Sequence, residues 1–368
     1  MHRKNFILLG AALLVSFGLP AYAELKYENS SGGSVTLYGQ FNPGYLSFDD
    51  GVETYNNLVD NGHSNSRVGL ILTQPYSFGE FGFNFETGLG FPTSFAFSQT
   101  FEPEFQWNRT SLRKIDFSLK TDAYGTFYVG QGSMATDGVA SVDLSGTTLV
   151  NYNSIGDTAG NSEFRTSAGA SSGIKIGNVM PSLDGGRRGR VRYDFPSFAD
   201  FTFKIAYGEE ILVSGSEDKF YDGALVYANE FANGTELKGG IGWSRRERPG
   251  AADRDDRFGS VSVLLPSGFN LTVALGNRKD SGRYSYSKIG YIVNWLSVGS
   301  TALAVDYYDG RDFNVAGSSS GSFGLGVVQS FKAANTEAYL EYRDYEYADT
   351  ADAYLDASSF LFGARWKF

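Results

Sequence analysis

Arginine recurs at every second position in the stretch RRGRVRYDF, residues 187–195. In an extended chain, Arg188, Arg190 and Arg192 fall on one face together with Asp194, and apolar residues fall on the other. Such a row of guanidinium groups can order polar or anionic groups by charge and hydrogen bonding. A solvated surface and a polyanion-binding patch are alternative interpretations. Because the opposite face is apolar, we favour a row that lines a water-filled interior.

Two further arginines belong to strand-like segments. In SRVGLIL, Arg67 shares a face with Gly69, opposite the apolar residues. Arg113 is less simple, because strict alternation places it with Ile115 on the apolar face. Either a β-bulge shifts the register there, or Lys114 is the inward residue.

Acidic candidates lie in segment 132–187, which lacks alternation and is long enough to fold inward. Asp137 and Asp143 fall near its start. Carboxylates set across a narrow passage from arginines would create a transverse field that sorts solutes by charge and size. We therefore expect neutralisation of both acids to lower a preference for cations.

Catalytic and metal chemistry have little support in the sequence. The chain has no cysteine and two histidines, and only His63 lies beyond the N-terminal leader. A hydrolase usually needs a histidine base, and His63 lies in a polar spacer without a nearby serine elbow. The acid-rich run DRDD (253–256) could hold structural Ca²⁺, but its spacing fits no EF-hand, and a solvated loop is the preferred interpretation. No cofactor is expected.

The elements that would position these residues are short segments with period-two alternation. About sixteen such segments are found: 35–48, 66–75, 79–91, 106–120, 125–131, 188–195, 201–212, 219–231, 235–247, 256–265, 269–279, 284–296, 300–312, 321–332, 335–347 and 356–368. Short turns such as QPYS (74–77) alternate with longer polar spacers such as 51–66. This pattern predicts an all-β fold, a transmembrane antiparallel β-barrel with an inward-folded constriction loop.

A soluble β-sandwich would also alternate. The barrel is favoured because one face is large and aromatic, with 30 Phe and 23 Tyr in the chain, while the other is small and polar. The final segment places Phe360, Phe362, Trp366 and Phe368 on one side. We expect it to be the closing strand, with the aromatic side toward lipid and Arg365 toward water.

The N-terminus predicts export. A basic start, an apolar stretch and AYA at 21–23 are typical of a signal peptide over residues 1–23, which leaves 24–368 as the mature barrel domain. Loss of Arg3 and Lys4 reduces the 31 basic residues to 29 against 41 acidic ones, a net charge of −12. Such a charge argues against a nucleic-acid partner.

Four stretches resemble Gram-negative general (non-specific) porins of the alphaproteobacterial type: SVTLYGQFNPGYLSF (34–48), YGTFYVGQGSMATDGVASVDLSG (124–146), RVRYDFPSFADFTFKIAYG (190–208) and the terminal FGARWKF. The resemblance implies a sixteen-stranded homotrimer in the outer membrane, in contact with its lipid and lipopolysaccharide. It also implies passive diffusion of ions and small hydrophilic solutes. In that family the loop after the fifth strand carries acids that face a basic wall. The terminal Phe368 matches the signal read by the assembly machinery.

The corresponding constriction here would consist of loop acids and wall arginines: Asp137, Asp143, Arg67, Arg113, Arg188, Arg190 and Arg192. Two other functions stay open at this point. A barrel enzyme of lipase or protease type would depend on His63, and an adhesin would have larger exposed loops and no inward loop.

Overall fold

The computed structural model describes residues 25–368, and the proposed signal peptide lies outside them. The strands are β1 Leu25–Glu28, β2 Ser34–Phe41, β3 Pro43–Asp49, β4 Thr54–Asp60, β5 Arg67–Tyr76, β6 Gly79–Gly88, β7 Leu112–Thr121, β8 Gly125–Ser133, β9 Glu163–Arg165, β10 Ser171–Lys175, β11 Arg187–Asp194, β12 Phe201–Glu209, β13 Lys219–Glu230, β14 Glu236–Glu247, β15 Arg254–Leu264, β16 Phe269–Arg278, β17 Arg283–Leu296, β18 Gly299–Arg311, β19 Ser319–Phe331, β20 Thr336–Ala348 and β21 Ala357–Lys367.

Helical structure is sparse in this part of the chain. It comprises two one-turn helices, α1 (Gly156–Ala159) and α2 (Ile176–Val179), and four 3₁₀ turns, Gly62–Ser64, Ser94–Ala96, Arg109–Ser111 and Lys332–Ala334. Within 25–368, no helix combines the length and the apolar character that crossing a membrane requires.

Neighbouring strands pair antiparallel and close into a ring of sixteen. The first ring strand consists of β2 followed by β3, and the second of β4 followed by β5. The other fourteen are β6 to β8 and β11 to β21. Outside the ring, β1 pairs with β2, and β9 pairs with β10 in the segment between β8 and β11. The predicted antiparallel barrel is confirmed.

The two chain ends close the ring. Strand β21 pairs with β3 over most of its length and reaches β2 where Trp366 lies opposite Phe41. Beyond the strand, Phe368 and Gly39 exchange two backbone hydrogen bonds, of 2.8 and 3.0 Å. A side chain at position 39 would collide with the Phe368 ring. Closure matters because hydrocarbon offers no partner to a free backbone N–H or C=O.

The spacer 51–66, expected to be a loop, is not one throughout. Its middle forms β4, which pairs with β3 from Asp49–Thr54 to Pro43–Asp60. The chain then leaves the ring at residues 61–66 and returns as β5. The prediction missed β4 because its adjacent Leu58 and Val59 fall on opposite faces and follow Asn56 and Asn57, so the segment shows no clear alternation.

The outer surface is apolar, as the alternation predicts. Large side chains there remain about half exposed, for instance 49% for both Phe360 and Phe362 and 50% for Trp366. The same outward face carries Val129, Val191, Phe203, Ile205, Leu225, Ile241, Leu271, Leu275, Ile289, Val305, Leu325 and Leu340, all more than a third exposed. A band of this extent is stable only against lipid or another protein.

The buried core lies inside the ring. Residues 134–186, which include β9, β10 and both short helices, fold into the barrel and pack against its inner wall. Apolar loop residues such as Leu149, Ile155 and Phe164 are fully or almost fully buried there. They meet wall tyrosines, among them Tyr286 and Tyr345, which have at most 1% exposure. The predicted inward loop is therefore present, with its bounds shifted by one or two residues from 132–187.

Closure predicts a strict size limit at residue 39. Gly39→Val should reduce the folded fraction strongly, because a branched side chain displaces the Phe368 ring and separates β2 from β21. Heat-modifiable migration on gels measures that fraction. Gly223→Ala is the matched control, since a Cβ there meets nothing closer than 3.6 Å. Equal folding of the two variants would contradict the closure described here.

Candidate functional site

Hydrogen bonds fix the inward loop to one side of the barrel. The backbone N–H groups of Val142 and Leu144 donate to the hydroxyls of Ser260 and Ser262 on β15, at 2.9 and 3.0 Å. Farther along the loop, the Tyr308 hydroxyl donates to a loop carbonyl at 2.9 Å. These three wall hydroxyls thus satisfy loop groups that would otherwise be buried without a partner.

Buried charges reinforce this attachment. Lys288 on β17 has no exposed side-chain surface and forms an ion pair with Asp143 of the loop. Behind the loop, Arg343 donates to both carboxylate oxygens of Asp306 at 2.8 and 2.9 Å, and to Glu341 at 2.9 Å. The amide of Asn151 on the loop also donates to Asp306 at 2.8 Å. Breaking such a pair on one side leaves an uncompensated charge in a dry environment.

The structure thus places Asp143 away from any open passage. Its side chain is 3% exposed and is directed at the wall, with its second oxygen accepting from Ser145. Asp143 is an anchor of the loop, not an acid opposite the arginines. The sequence prediction failed here because alternation has no meaning in an irregular loop, so nothing indicated which way the side chain points.

A cluster of arginines occupies the opposite side of the interior. Arg67 on β5, Arg113 on β7, Arg187 on β11 and Arg365 on β21 lie close enough for their charges to interact. Three of these side chains keep 20–32% of their surface exposed, and Arg365 keeps 16%. We call these four residues the arginine wall.

Acids and carbonyl groups hold the arginine wall in place. Glu86 lies 2.5 Å from Arg113 Nε and 3.5 Å from Arg67 Nε. Glu337 accepts two hydrogen bonds from Arg365, at 2.9 and 2.6 Å. With two carboxylates for four guanidinium groups, the wall keeps a net positive charge.

Residues 61–66, where the chain leaves the ring between β4 and β5, supply further hydrogen-bond acceptors. The Ser64 hydroxyl oxygen accepts from Arg365 at 3.1 Å and from Arg67 at 3.4 Å. The Asn65 side-chain oxygen accepts from Arg113 at 3.0 Å. The excursion at 61–66 therefore has a role, because it orients the guanidinium groups that line the interior.

Arg113 faces inward because of a β-bulge. The β6–β7 register shifts between Glu86, opposite Lys114, and Thr87, opposite Leu112. Arg113 is the extra residue on β7, so its side chain turns toward Glu86. Of the two explanations left open by the sequence, the bulge is the one observed.

The row Arg188, Arg190 and Arg192 lies on the inner face, but the three side chains differ in availability. Arg188 is 24% exposed and stacks over the Phe220 ring at 4.1 Å. Arg190 is 2% exposed, paired with Asp116 and bonded to two backbone carbonyls. Arg192 donates through Nε and Nη2 to the two carboxylate oxygens of Asp194, each at 2.7 Å. Only Arg188 borders open space.

Asp137 is the loop acid that faces the wall. Its carboxylate lies 3.8 Å from Arg187 and its side chain is 21% exposed. A cavity of about 890 Å³ is bordered by Arg113, Arg187 and Arg188 on the wall, and its border also includes Glu102, Glu104 and Glu210. Asp137 meets the wall at Arg187, which belongs to the border of this cavity.

Sequence reasoning missed Arg187 and Glu86 and did not assign Arg365 to the constriction. Arg187 follows the parity of outward residues, but it is the first residue of β11, where the strand leaves the loop and its side chain turns inward. Glu86 alternates with phenylalanines and was a detectable polar-face residue. Arg365 was expected on the watery face of the last strand, and it lies there.

His63 and the acid-rich loop have structural partners. The His63 side chain is fully buried, with Nε2 2.9 Å from the Thr158 hydroxyl and 3.9 Å from Glu341. In the DRDD run, Asp253 pairs with Arg245 at 2.8 Å and Asp256 binds Arg278 through both oxygens. Across residues 25–368, no group of three or more potential ligands is placed to hold a metal ion.

Comparison with known proteins agrees with this architecture. The family model described as Gram-negative porin matches residues 10–350. The chain belongs to the Gram-negative porin family. It is therefore a channel of the outer membrane for passive diffusion. No curated protein matches the sequence.

Solved porins share the fold at low sequence identity. The anion-selective porin from Comamonas acidovorans is 16% identical, with a TM-score of 0.63 over 91% of this chain and all of that one. OmpT of Vibrio cholerae in its trimer form is 15% identical, with a TM-score of 0.55 over 91% and 99%. A mutant of the Rh. blastica porin is 13% identical, with a TM-score of 0.52 over 91% and 100%.

The buried pair predicts a role for Asp143 in loop attachment. Asp143→Asn should leave Lys288 without a counter-charge and weaken the attachment by about 3–5 kcal/mol. Protease cleavage within 134–186 of the solubilised porin should then accelerate at least tenfold, and single-channel current should become noisier. Asp137→Asn, which removes an exposed acid of the same loop, is the control. Unchanged protease resistance of Asp143→Asn would refute the anchor.

The buried carboxyl of Asp184, near the end of the inward loop, should make this part of the loop respond to pH. Its oxygens accept from Ala140 N–H at 2.9 Å and from the Ser141 hydroxyl at 2.5 Å. Burial, assisted by the charge of Asp137, raises the pKa of Asp184 to about 6. Because the pKa of Asp184 is raised in the folded protein, protonation of its carboxyl stabilises the folded state. Lowering the pH from 7.5 to 5 therefore neutralises Asp184 and stabilises the folded form of the inward loop.

We expect anion permeability to increase over this pH range with a midpoint near 6, because one negative charge is lost beside Asp137. Zero-current potentials recorded at each pH under a salt gradient provide the measurement. Asp184→Asn should show no such midpoint. The same midpoint in Asp184→Asn would assign the response to another group.

Proposed function

We propose that the passage between Asp137 and the arginine wall selects among the small hydrophilic solutes and ions that cross this porin. The observation that carries the proposal is the placement of a partly exposed acid on the inward loop next to partly exposed arginines on the wall. Asp137 lies on the loop, and Arg67, Arg113, Arg187 and Arg365 lie on the wall. Such an arrangement orients dipolar solutes across the passage and penalises apolar ones.

We further propose that this constriction favours small anions. Its four wall arginines exceed the three carboxylates that form ion pairs with them, which belong to Glu86, Glu337 and Asp137. The excess of positive charge is local, and it contrasts with a net charge of −10 for the whole chain. The described fold of the anion-selective porin from Comamonas acidovorans is compatible with this assignment, although the likeness concerns the fold alone.

The enzyme alternative is not favoured by the placement of His63. A catalytic base must reach the proton that it removes. His63 has no exposed side-chain surface and contacts Thr158 and Glu341 between loop and wall, where no substrate has access. The adhesin alternative predicted no inward loop, and the chain has one. We therefore propose a non-enzymatic channel that requires no cofactor.

We propose a homotrimer, exported by the signal peptide and inserted through recognition of its last strand. The apolar belt gives a large surface for contact between subunits and with outer-membrane lipid and lipopolysaccharide. Phe368 keeps 38% exposure on the outer face, so its ring is available to an assembly factor before lipid covers it. The solved OmpT of Vibrio cholerae includes a trimer form.

Substitutions of Asp137 and of Arg187 should change the ion selectivity in opposite directions. A unit charge about 7 Å from a passing ion in water contributes about 0.6 kcal/mol. Because the charge acts with opposite sign on an anion and on a cation, Asp137→Asn should increase the anion-to-cation permeability ratio about five- to tenfold, and Arg187→Gln should decrease it by a similar factor. Zero-current potentials under a tenfold KCl gradient in planar bilayers measure both.

Asp280→Asn is the control for these variants, because its side chain is 86% exposed on a loop and Asn tolerates the positive φ of 57° found there. Selectivity of the unmodified porin for cations would contradict the anion preference. Unchanged potentials in both constriction variants would remove the pair from the selectivity mechanism.

A further inference from the structure

A second cluster of arginines lies on the inner face of the barrel, at the end that carries the long loops. It consists of Arg188 on β11, Arg246 on β14, Arg254 on β15 and Arg278 on β16. Between these side chains and residues 183–186 of the inward loop is a cavity of about 190 Å³. Clefts that enclose drug-sized organic ligands hold about 300–1,000 Å³, so this smaller cavity suits an inorganic ion with some of its water.

The strand register places two of these arginines directly opposite each other. Arg254 of β15 pairs with Arg246 of β14, and both side chains border the cavity. The Cβ atoms of residues opposite each other on antiparallel strands are about 4.5–5.5 Å apart, and like charges in such a pair are destabilising. The charge of Arg278 also acts on Arg254. This group of cations therefore needs anions near it.

Protein carboxylates compensate three of the four charges. The pairs are Arg188 with Glu210 at 3.5 Å, Arg246 with Asp218 at 2.6 Å, and Arg278 with Asp256 at 2.7 and 2.8 Å. Arg254 differs, because among residues 25–368 its guanidinium group has no hydrogen bond and no ion pair. All five of its N–H donors are therefore available to a ligand.

Two further carboxylates border the cavity, and donors of the inward loop occupy both of them. Asp222 accepts from two backbone N–H groups of the loop, at 3.0 and 3.2 Å. Asp184 also accepts from two of them, at 2.9 and 3.2 Å. Neither carboxylate forms an ion pair with Arg254. The protein thus leaves the charge of Arg254 without a counter-ion of its own.

Arg188 supplies a further free donor. Its Nε atom is buried and has no hydrogen-bond partner, and a donor in that state commonly indicates a bound water or ion. The Phe220 ring lies 4.1 Å from the Arg188 guanidinium carbon and 5.4 Å from that of Arg246, so both groups are held by stacking. A guanidinium group held in this way presents a rigid fork of N–H donors, which matches the oxygens of a phosphate-like anion.

We propose that this cavity binds one tetrahedral oxyanion, inorganic sulfate or phosphate, through the N–H groups of Arg254 and Arg188. A dianion at this place supplies the negative charge that the protein omits, and it separates the opposed guanidinium groups of Arg254 and Arg246. The site goes beyond the selectivity proposed for the passage. That selectivity depends on Asp137 and the arginine wall, and the second cluster shares no residue with them.

Equilibrium dialysis of the detergent-solubilised porin against radiolabelled sulfate tests the proposal, in excess chloride, at constant ionic strength and pH 7.5. The unmodified porin should bind one sulfate per chain in a saturable manner. Arg254→Gln should weaken binding about tenfold or more, since charge-assisted hydrogen bonds are lost. The variant should fold normally, because Arg254 has no protein partner to lose. Half-displacement of the label by unlabelled sulfate and by phosphate shows which anion the site prefers.

Arg245→Gln is the matched control. Arg245 belongs to β14, pairs with Asp253 at 2.8 Å and does not border the cavity, so this variant changes the net charge equally and should bind sulfate as the unmodified porin does. Arg254→Lys keeps the charge but not the fork of donors, and it should bind with intermediate affinity. Heat-modifiable migration on gels confirms that each variant is folded.

Three results would overturn the proposal. They are equal binding by Arg254→Gln and the unmodified porin, equal weakening in Arg254→Gln and Arg245→Gln, and binding that does not saturate at one sulfate per chain. Equal weakening would indicate an effect of net charge alone. Dialysis involves no membrane and no current, so a negative result is distinguishable from a failure of the selectivity proposed for the passage.

Discussion

Hydrocarbon accepts no hydrogen bonds, and this constraint governs the whole molecule. A sheet of this size can lie in a bilayer only if its first and last strands meet, and here they meet at Gly39 and Phe368. In the closed sheet, alternate side chains along each strand point to opposite surfaces of the barrel. One set of side chains contacts lipid, and the other set must be hydrated or covered from within. The inward loop covers one part of the inner surface, and the arginines lie in the part that is hydrated.

The inner surface therefore has a side covered by the loop and a hydrated side. Toward β13 to β20, loop residues 134–186 cover the wall with apolar side chains, and buried charges form ion pairs, as in Lys288 with Asp143 and Arg343 with Asp306. Toward β5, β7, β11 and β21, arginines face open space and are only partly neutralised. The asymmetry follows from the loop, since it fills one side and leaves the other wet. A charge difference across the passage is the result.

Much of the fold was predictable because, along each strand of a closed membrane sheet, apolar side chains that face lipid alternate with polar ones that face the interior. All sixteen ring strands correspond to segments that alternate, and Phe360 and Phe362 lie outward as expected. The failures share a cause, because they lie where the period is broken. Strand β4 belongs to an interrupted ring strand, Arg113 lies in a bulge, and Asp143 lies in an irregular loop. Arg187 turns inward at a strand end. In each case the side-chain direction depends on contacts distant in sequence, which a single sequence does not encode locally.

The central claim is that the loop seals against one wall and leaves a passage between Asp137 and the arginines. The chain lacks cysteine, so a single introduced thiol can report access to that passage. Asp137→Cys and Val150→Cys should be exposed in bilayer recordings to a water-soluble, cationic thiol-reactive reagent, since Val150 is a fully buried residue of the same loop. Current through the first should fall in discrete steps, and current through the second should be unaffected. Block at both positions, or at residue 150 alone, would contradict the sealed loop.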